Sequence, residues 1–314
     1  LLQHRVGPRA WLYGAIGGMA PDLDIFIRSG SDPLVALTYH RHFTHSLAFI
    51  PVGGFLSALP WIARAKHRDK AKQIVQATTV GYATHALLDA FTTYGTQLWW
   101  PLSSMRVAWN FISIIDLLFT VPLAIGVVLA ARRQTRRPVA RALAWCALYM
   151  GVGGIQHGRA VATARSLATV RGHELSQIEA FPNAFCNLAW RTAYRARGKI
   201  FVDWVYTPWW GKAEPHAGGA VRIATEDTLP APLREDPATL QAFRTFTWFA
   251  DGWVAADPEA PGSFGDMRYG AGIGNTLSMW TITLRPGTQA PVAFERHTDR
   301  IRLADLWQTV RGRG

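Results

Sequence analysis

Residues 46–63 read SLAFIPVGGFLSALPWIA, 18 residues without a charge, and Arg64, Lys66, Arg68, Lys70 and Lys72 follow at once. An uncharged run of this length is about what a helix needs to cross the hydrocarbon of a bilayer, and basic residues crowd the cytoplasmic ends of such helices. Similar runs lie on either side. Ile74–Phe91 carries one acid, Asp89, near its end; Phe111–Ala131 carries one, Asp116, near its start; Ala142–Gln156 is shorter but can continue past Gln156. An earlier run, Trp11–Ile27, is interrupted by Pro21-Asp22-Leu23-Asp24. Helices in a soluble core are normally amphipathic, whereas these segments are apolar around most of their circumference. The expected fold is an α-helical multi-spanning membrane domain over residues 1–158, followed by a small α+β domain over 159–314.

The charge distribution agrees with that division. The 314-residue chain has a net charge of +12, with 49% hydrophobic and 17% charged residues. This composition can bury a core, which excludes general disorder. Two cysteines, Cys146 and Cys186, exclude a disulfide scaffold or a cysteine-rich zinc site. Residues 1–158 hold 15 Lys+Arg and 6 Asp+Glu, against 18 and 15 in residues 159–314. The excess positive charge therefore sits in the hydrophobic half. Ten of its basic residues form the cluster after Ala63 and a second one, Arg132, Arg133, Arg136, Arg137 and Arg141. A nucleic-acid surface needs a soluble face to carry it, so nucleic acid is not an expected partner; the membrane lipid is. Placing both clusters, with Arg5 and Arg9, inside gives a multi-pass inner-membrane protein whose residues 159–314 are extracytoplasmic.

That orientation, set by Lys and Arg alone, gathers the unusual polar residues at the outer face. Asp22, Asp24 and Asp89 fall near outer ends of their runs, Asp116 follows an outer start, and His40, His42 and His45 precede Ser46. Carboxylates within a bilayer cost roughly 2.5–3.5 kcal/mol at its centre, and such residues are functional or paired. His85 and Asp89, four apart, share one helical face. Asp22 and Asp24, two apart, would diverge on a helix, but Pro21 biases Ala20 away from helical geometry, and a break there lets both turn inward. Imidazole with carboxylate suits zinc, and an oxygen-richer set suits manganese or magnesium.

These stretches together resemble the YdjM-like family, the LexA-regulated membrane-bound metal-dependent hydrolases. The resemblance rests on Gly18-Met19-Ala20-Pro21-Asp22-Leu23-Asp24, His40-Arg41-His42-Phe43-Thr44-His45-Ser46 and Thr84-His85-Ala86-Leu87-Leu88-Asp89. Phe91–Gln97 with Trp100-Pro101, and Ile114-Ile115-Asp116, extend it. It is strong over residues 7–131 and continues weakly through Arg171-Gly172-His173, Asn187–Arg191 and Asp266–Gly270. The resemblance implies a membrane-bound, metal-dependent hydrolase and favours His40 and His45 over His42.

The candidate ligands of a divalent metal are thus Asp22, Asp24, His40, His45, His85 and Asp89, enough for one ion or for two sharing carboxylates. Asp116 is the candidate general base or orienting residue. A site opening at the bilayer surface suggests an amphiphilic or lipid-linked ester as substrate. The alternative is a metal- or proton-coupled transporter or a non-enzymatic membrane protein. In the C-terminal half, Lys199–Tyr206, Gly219–Thr225, Trp253–Ala256 and Leu277–Leu284 alternate like strands. Asp236-Pro237 opens a helix through about Phe246, and Arg302–Val310 suggests a closing one. Pro258–Gly265 and Gly270–Gly274 read as turns. Trp204, Tyr206, Trp209 and Trp210 are candidates for an interfacial aromatic belt. No internal repeat, phosphate-binding glycine loop or nucleophile elbow is present.

Overall fold

The structure, a computed structural model, describes residues 10–258, 260–270 and 276–297. It divides into two compact units, Leu1–Trp109 and Asn110–Gly314. Arg5, Arg9, Arg302–Val310 and the part of the glycine run beyond Gly270 lie outside the described residues.

In the first unit, α1 (Ala10–Met19) stops where Pro21 opens a 3-10 helix, Pro21–Phe26. A short α2 (Val35–Tyr39) leads into 3-10 turns at Phe43–His45 and Leu47–Phe49, then α3 (Ile50–Ile62) and α4 (Ala71–Ala90). Both α1 and α3 pack on α4. The α1–α4 contact is backbone against backbone. A Cβ on Gly17 would collide with the carbonyl of Thr78, and one on Gly81 with that of Gly14. Tyr13, Ala58, Ile74 and Ala77 fill the core between the three helices. The Tyr82 hydroxyl, one turn before His85, donates to the Thr44 carbonyl at 2.6 Å and fixes the histidine segment against α4.

In the second unit, α5 (Leu117–Arg133) runs antiparallel to α6 (Arg137–Val170), which passes the composition change at residues 158/159 without a break. A four-stranded antiparallel sheet follows, in the order β1 (Gln177–Pro182), β2 (Ala189–Ala196), β3 (Lys199–Tyr206) and β4 (Glu214–Arg222). After α7 (Ala231–Glu235) and α8 (Pro237–Phe249) comes a second antiparallel sheet, β5 (Val254–Ala256), β6 (Ser263–Asp266), β7 (Trp280–Leu284) and β8 (Val292–Arg296). Strand alternation gives the first sheet two apolar faces. Ala180, Trp190 and Val205 meet Ala160 and Ala164 of α6, and Tyr194 meets Ala168. Phe181, Ala193, Ile200 and Val202 meet Trp253, Ala255 and Met267. Alanines spaced by four make a smooth stripe on which the sheet rests closely.

This architecture corrects the expected multi-spanning helical domain. Among the described residues, only α6 is long and apolar enough to cross a membrane. The count rises to two if the bent pair Val35–His45 and Leu47–Ile62, broken by 57°, is one span. The physical reason is helix length and polarity. The run at 46–63 yields a helix of 13 residues and Phe111–Ala131 one of 17, because its first residues form a loop up to the Asp116 cap. Ile74–Phe91, up to Ala90, lies in a 20-residue helix that begins with a lysine-bearing turn and carries Gln73, Gln76, Thr78, Thr79, Thr84 and His85. The protein is instead a mixture of helices and two antiparallel sheets.

Candidate metal centre

The first unit converges four donors on one point. Asp22 comes from the 3-10 helix after Pro21, His45 from the turn before α3, and His85 with Asp89 from one face of α4. His45 Nε2 lies 3.6 Å from Asp22 Oδ1 and 3.2 Å from Asp89 Oδ2; His85 Nε2 lies 3.3 Å from Asp22 Oδ1 and 3.4 Å from Asp89 Oδ2. A tetrahedral zinc ion with bonds of about 2.0–2.1 Å has donors roughly 3.3–3.4 Å apart. The four separations, 3.2–3.6 Å, bracket that edge. His45 is fully buried, yet its Nε2, with His85 Nε2 and Asp89 Oδ2, makes no hydrogen bond of acceptable geometry. Buried polar atoms are rarely left so, and three of them aimed at one point suit an ion.

Asp24 stands behind this cage. The 3-10 turn rotates it away from Asp22, and its side chain is completely buried. Its Oδ1 meets His40 Nδ1 at 2.7 Å, and its Oδ2 accepts from the Arg41 amide at 2.9 Å and the Thr44 hydroxyl at 2.7 Å. His45 Nδ1 lies 3.0 Å from Thr44 Oγ1 and 3.2 Å from Asp24 Oδ2. A proton on Nδ1 is thereby held by acceptors, and the Nε2 lone pair faces the cage. This carboxylate support sets tautomer and ring angle for a metal-binding imidazole. Asp22, Asp24 and His40 are also close enough to form a second donor group sharing Asp22. His42 turns away, its ring against Tyr39 and Trp100.

Arg41 completes the surroundings and was not among the residues singled out by the sequence. Its Nε lies 2.9 Å from Asp89 Oδ2 and its Nη1 donates to Thr92 Oγ1 at 2.9 Å. Its backbone is left-handed, with φ 62°, a conformation that costs a non-glycine residue roughly 1–2 kcal/mol. Its position between two candidate histidines was the available signal. Without an ion, the His45 and His85 rings hold the Asp22 carboxyl well below the usual range. Burial pushes Asp89 up, but the same two rings and Arg41 outweigh it and bring it down. Burial also disfavours charge on His85, and Asp22 and Asp89 overcome this, raising it to about 9.

The family model described as YdjM inner membrane protein matches residues 2–160, half of the chain and all of the donor cluster. The chain belongs to the YdjM family. It is accordingly a membrane protein of the inner-membrane type. The family match ends one residue after Arg159, inside α6, so the weaker likeness at Arg171–His173, Asn187–Arg191 and Asp266–Gly270 lies beyond it. No curated protein and no solved structure matches the chain.

Asp116 belongs to neither donor group. It lies in the second unit as the N-cap of α5, where Oδ1 accepts from the amides of Leu118 and Phe119 at 3.0 and 3.2 Å. Tyr149 on α6 donates its hydroxyl to Oδ2 at 2.9 Å. Burial pushes its carboxyl up to about 6 against these hydrogen bonds. The isolated acid at the head of an apolar run, read as a reacting group, has the position of a helix cap.

Proposed function

We propose that this member of the YdjM family is a metal-dependent hydrolase, with Asp22, His45, His85 and Asp89 holding a divalent ion, zinc by donor type and spacing. The observation that supports the ion is the hydrogen-bond-deficient cage with its near-tetrahedral edges, and the one that supports hydrolysis is that its Asp22 side faces solvent. When bound, such an ion acts as a Lewis acid toward a phosphoryl or carbonyl group and acidifies an attacking water. The chain's own residues do the rest. Asp24 and Thr44 hold the Nδ1 proton of His45; Arg41 balances the Asp89 carboxylate. Asp22, with its side chain 48% exposed, is the donor on the open side, where substrate enters. Leu23 and Phe26, on the same 3-10 segment, are exposed at 62% and 74%. An apolar rim beside a hydrolytic centre suits an amphiphilic ester. The arginines at the start of α6 favour a cytoplasmic placement for that end, which would put residues 159–314 outside.

A second reading has its own support. Four protein donors complete a tetrahedron, as in structural zinc sites, whereas catalytic sites keep a position open. One experiment separates the two. The purified full chain is analysed for metal and assayed with a phosphate monoester, a phosphodiester and a carboxylic ester, before and after chelation. The hydrolase reading expects about one equivalent of zinc and turnover that chelation abolishes. Bound zinc that raises the melting temperature, with no turnover of any ester, would establish the structural reading instead.

A further inference from the structure

We infer that the Trp209–Trp210 loop is a membrane-interface anchor, seating the sheets of the second unit on the headgroup region of a phospholipid bilayer. The inference rests on α6 crossing the membrane and not on the hydrolase reading. Between Arg141 and Arg159, residues 142–158 of α6 contain no Asp, Glu, Lys or Arg. That stretch spans roughly 25 Å at 1.5 Å per residue, close to the hydrocarbon thickness of about 30 Å. Along it Leu143, Leu148 and Ile155 are turned outward at 56%, 61% and 66% exposure. From His157 onward the same helix meets the first sheet, His157 through Glu179 at 2.6 Å and the Trp190 ring, and Ala160, Ala164 and Ala168 through its apolar face. The change from uncovered apolar surface to sheet contact therefore falls between Gln156 and Arg159.

The loop is tied to the helix at that level. Arg159 Nη1 donates to Gln156 Oε1 and the Pro208 carbonyl, and Nη2 to the Gly211 carbonyl, each at 2.6 Å. Gln156 Nε2 donates to the Thr207 carbonyl, also at 2.6 Å. Two side chains one turn apart on α6 thus hold residues 207–211 at the end of the uncharged stretch. Of the four aromatics that suggested a belt, Trp204 is in the core. Trp209 is 38% exposed, with its indole N–H donating to Asn187 Oδ1 at 3.1 Å, and Trp210 is 84% exposed. The two indoles meet edge to face at 6.0 Å. Exposed tryptophan, with an apolar ring and a polar N–H, prefers the depth of lipid headgroups. Lys212, next in sequence but one, is of the charge that suits lipid phosphates.

The test uses spin labels on the full chain reconstituted in vesicles of phosphatidylethanolamine and phosphatidylglycerol. Single substitutions Trp210→Cys, Leu148→Cys and Arg197→Cys carry a nitroxide, with the parent chain as background because Cys146 and Cys186 are buried. Arg197 lies in the turn at the far end of the β2–β3 hairpin, about 25 Å along the strand from the Tyr206 end. Collisions with oxygen, which concentrates in lipid, are compared with those of a water-soluble nickel chelate. The expected ratio is highest at residue 148, several-fold above Arg197 at residue 210, and lowest at Arg197. A label at residue 210 as water-accessible as that at residue 197 overturns the anchor, whatever residue 148 shows. If residue 148 is also water-accessible, the crossing of α6 falls with it. Neither outcome touches the donor cage.

Discussion

The two units place their buried charges differently. In the second, each principal buried carboxylate is matched. Asp203 holds Arg171 through both oxygens at 2.6 and 2.9 Å, Asp266 holds Arg268, and Asp116 holds two helix amides and Tyr149. In the first, Asp24 is matched too, but His45, His85 and Asp89, the last also paired with Arg41, face one another within 3.2–3.4 Å and leave both Nε2 atoms without a hydrogen bond. A partner-satisfied group fastens elements together. A convergent set left short of partners marks a place where something else belongs.

The sharpest way to break this contrast is to remove one member from each side. His45→Ala should abolish stoichiometric zinc, because the fully buried donor has no substitute within the cage. Elemental analysis of the purified variant checks this, and retained zinc would dissolve the distinction. Arg171→Met should leave zinc content unchanged and destabilise the second unit by about 3 kcal/mol, since the buried Asp203 carboxylate loses its counter-charge and keeps the Gly218 amide. Denaturant titration measures that loss.

Smaller changes sharpen the comparison. Asp24→Asn keeps all four cage donors and weakens the support for His45. Zinc should still bind at one equivalent, with affinity lowered about 10–100-fold, as competition with a chelator will show. Loss of all metal would move Asp24 into direct coordination. Asp116→Asn should have the smallest effect, because asparagine also caps helices. The folded state binds the Asp116 proton more tightly than the unfolded chain, with the value raised from 3.8 to about 6. Its contribution to stability is therefore present at low pH and declines as pH rises from about 4 to 6. The asparagine variant should lack that decline, and equal pH slopes for both proteins would refute the assignment.

Much of the cage was legible in the sequence. His85 and Asp89 share a face because a helix repeats at about 3.6 residues, and Pro21 announced the break that lets Asp22 leave the α1 axis. The division between holding and supporting residues was not legible, because spacing gives a face and not the remaining hydrogen bonds of each oxygen. Asp24 is set apart from Asp22 by its hydrogen bonds to the Arg41 amide and Thr44, both contacts of a folded turn. The number of crossing helices was misread because apolar runs do not report where a helix starts; Phe111–Ile115 are loop before the Asp116 cap. β3, α8 from its Asp236 cap, and β5 were readable from alternation and capping. β2 was not, because Arg191 and Arg195 interrupt its apolar pattern, and β6 begins inside a stretch rich in glycine and proline.

The unbroken course of α6 has a mechanical consequence. Its 34 residues form one rod of about 50 Å, and the first sheet is clamped to the far part of it without an intervening joint. The sheets therefore cannot swivel independently of the rod. Each residue inserted within 142–158 would lift them by about 1.5 Å and turn them by roughly 100°, swinging Trp209 and Trp210 around the axis like a hand on a dial. An insertion of seven residues would bring them back to nearly the same bearing, about 10 Å higher.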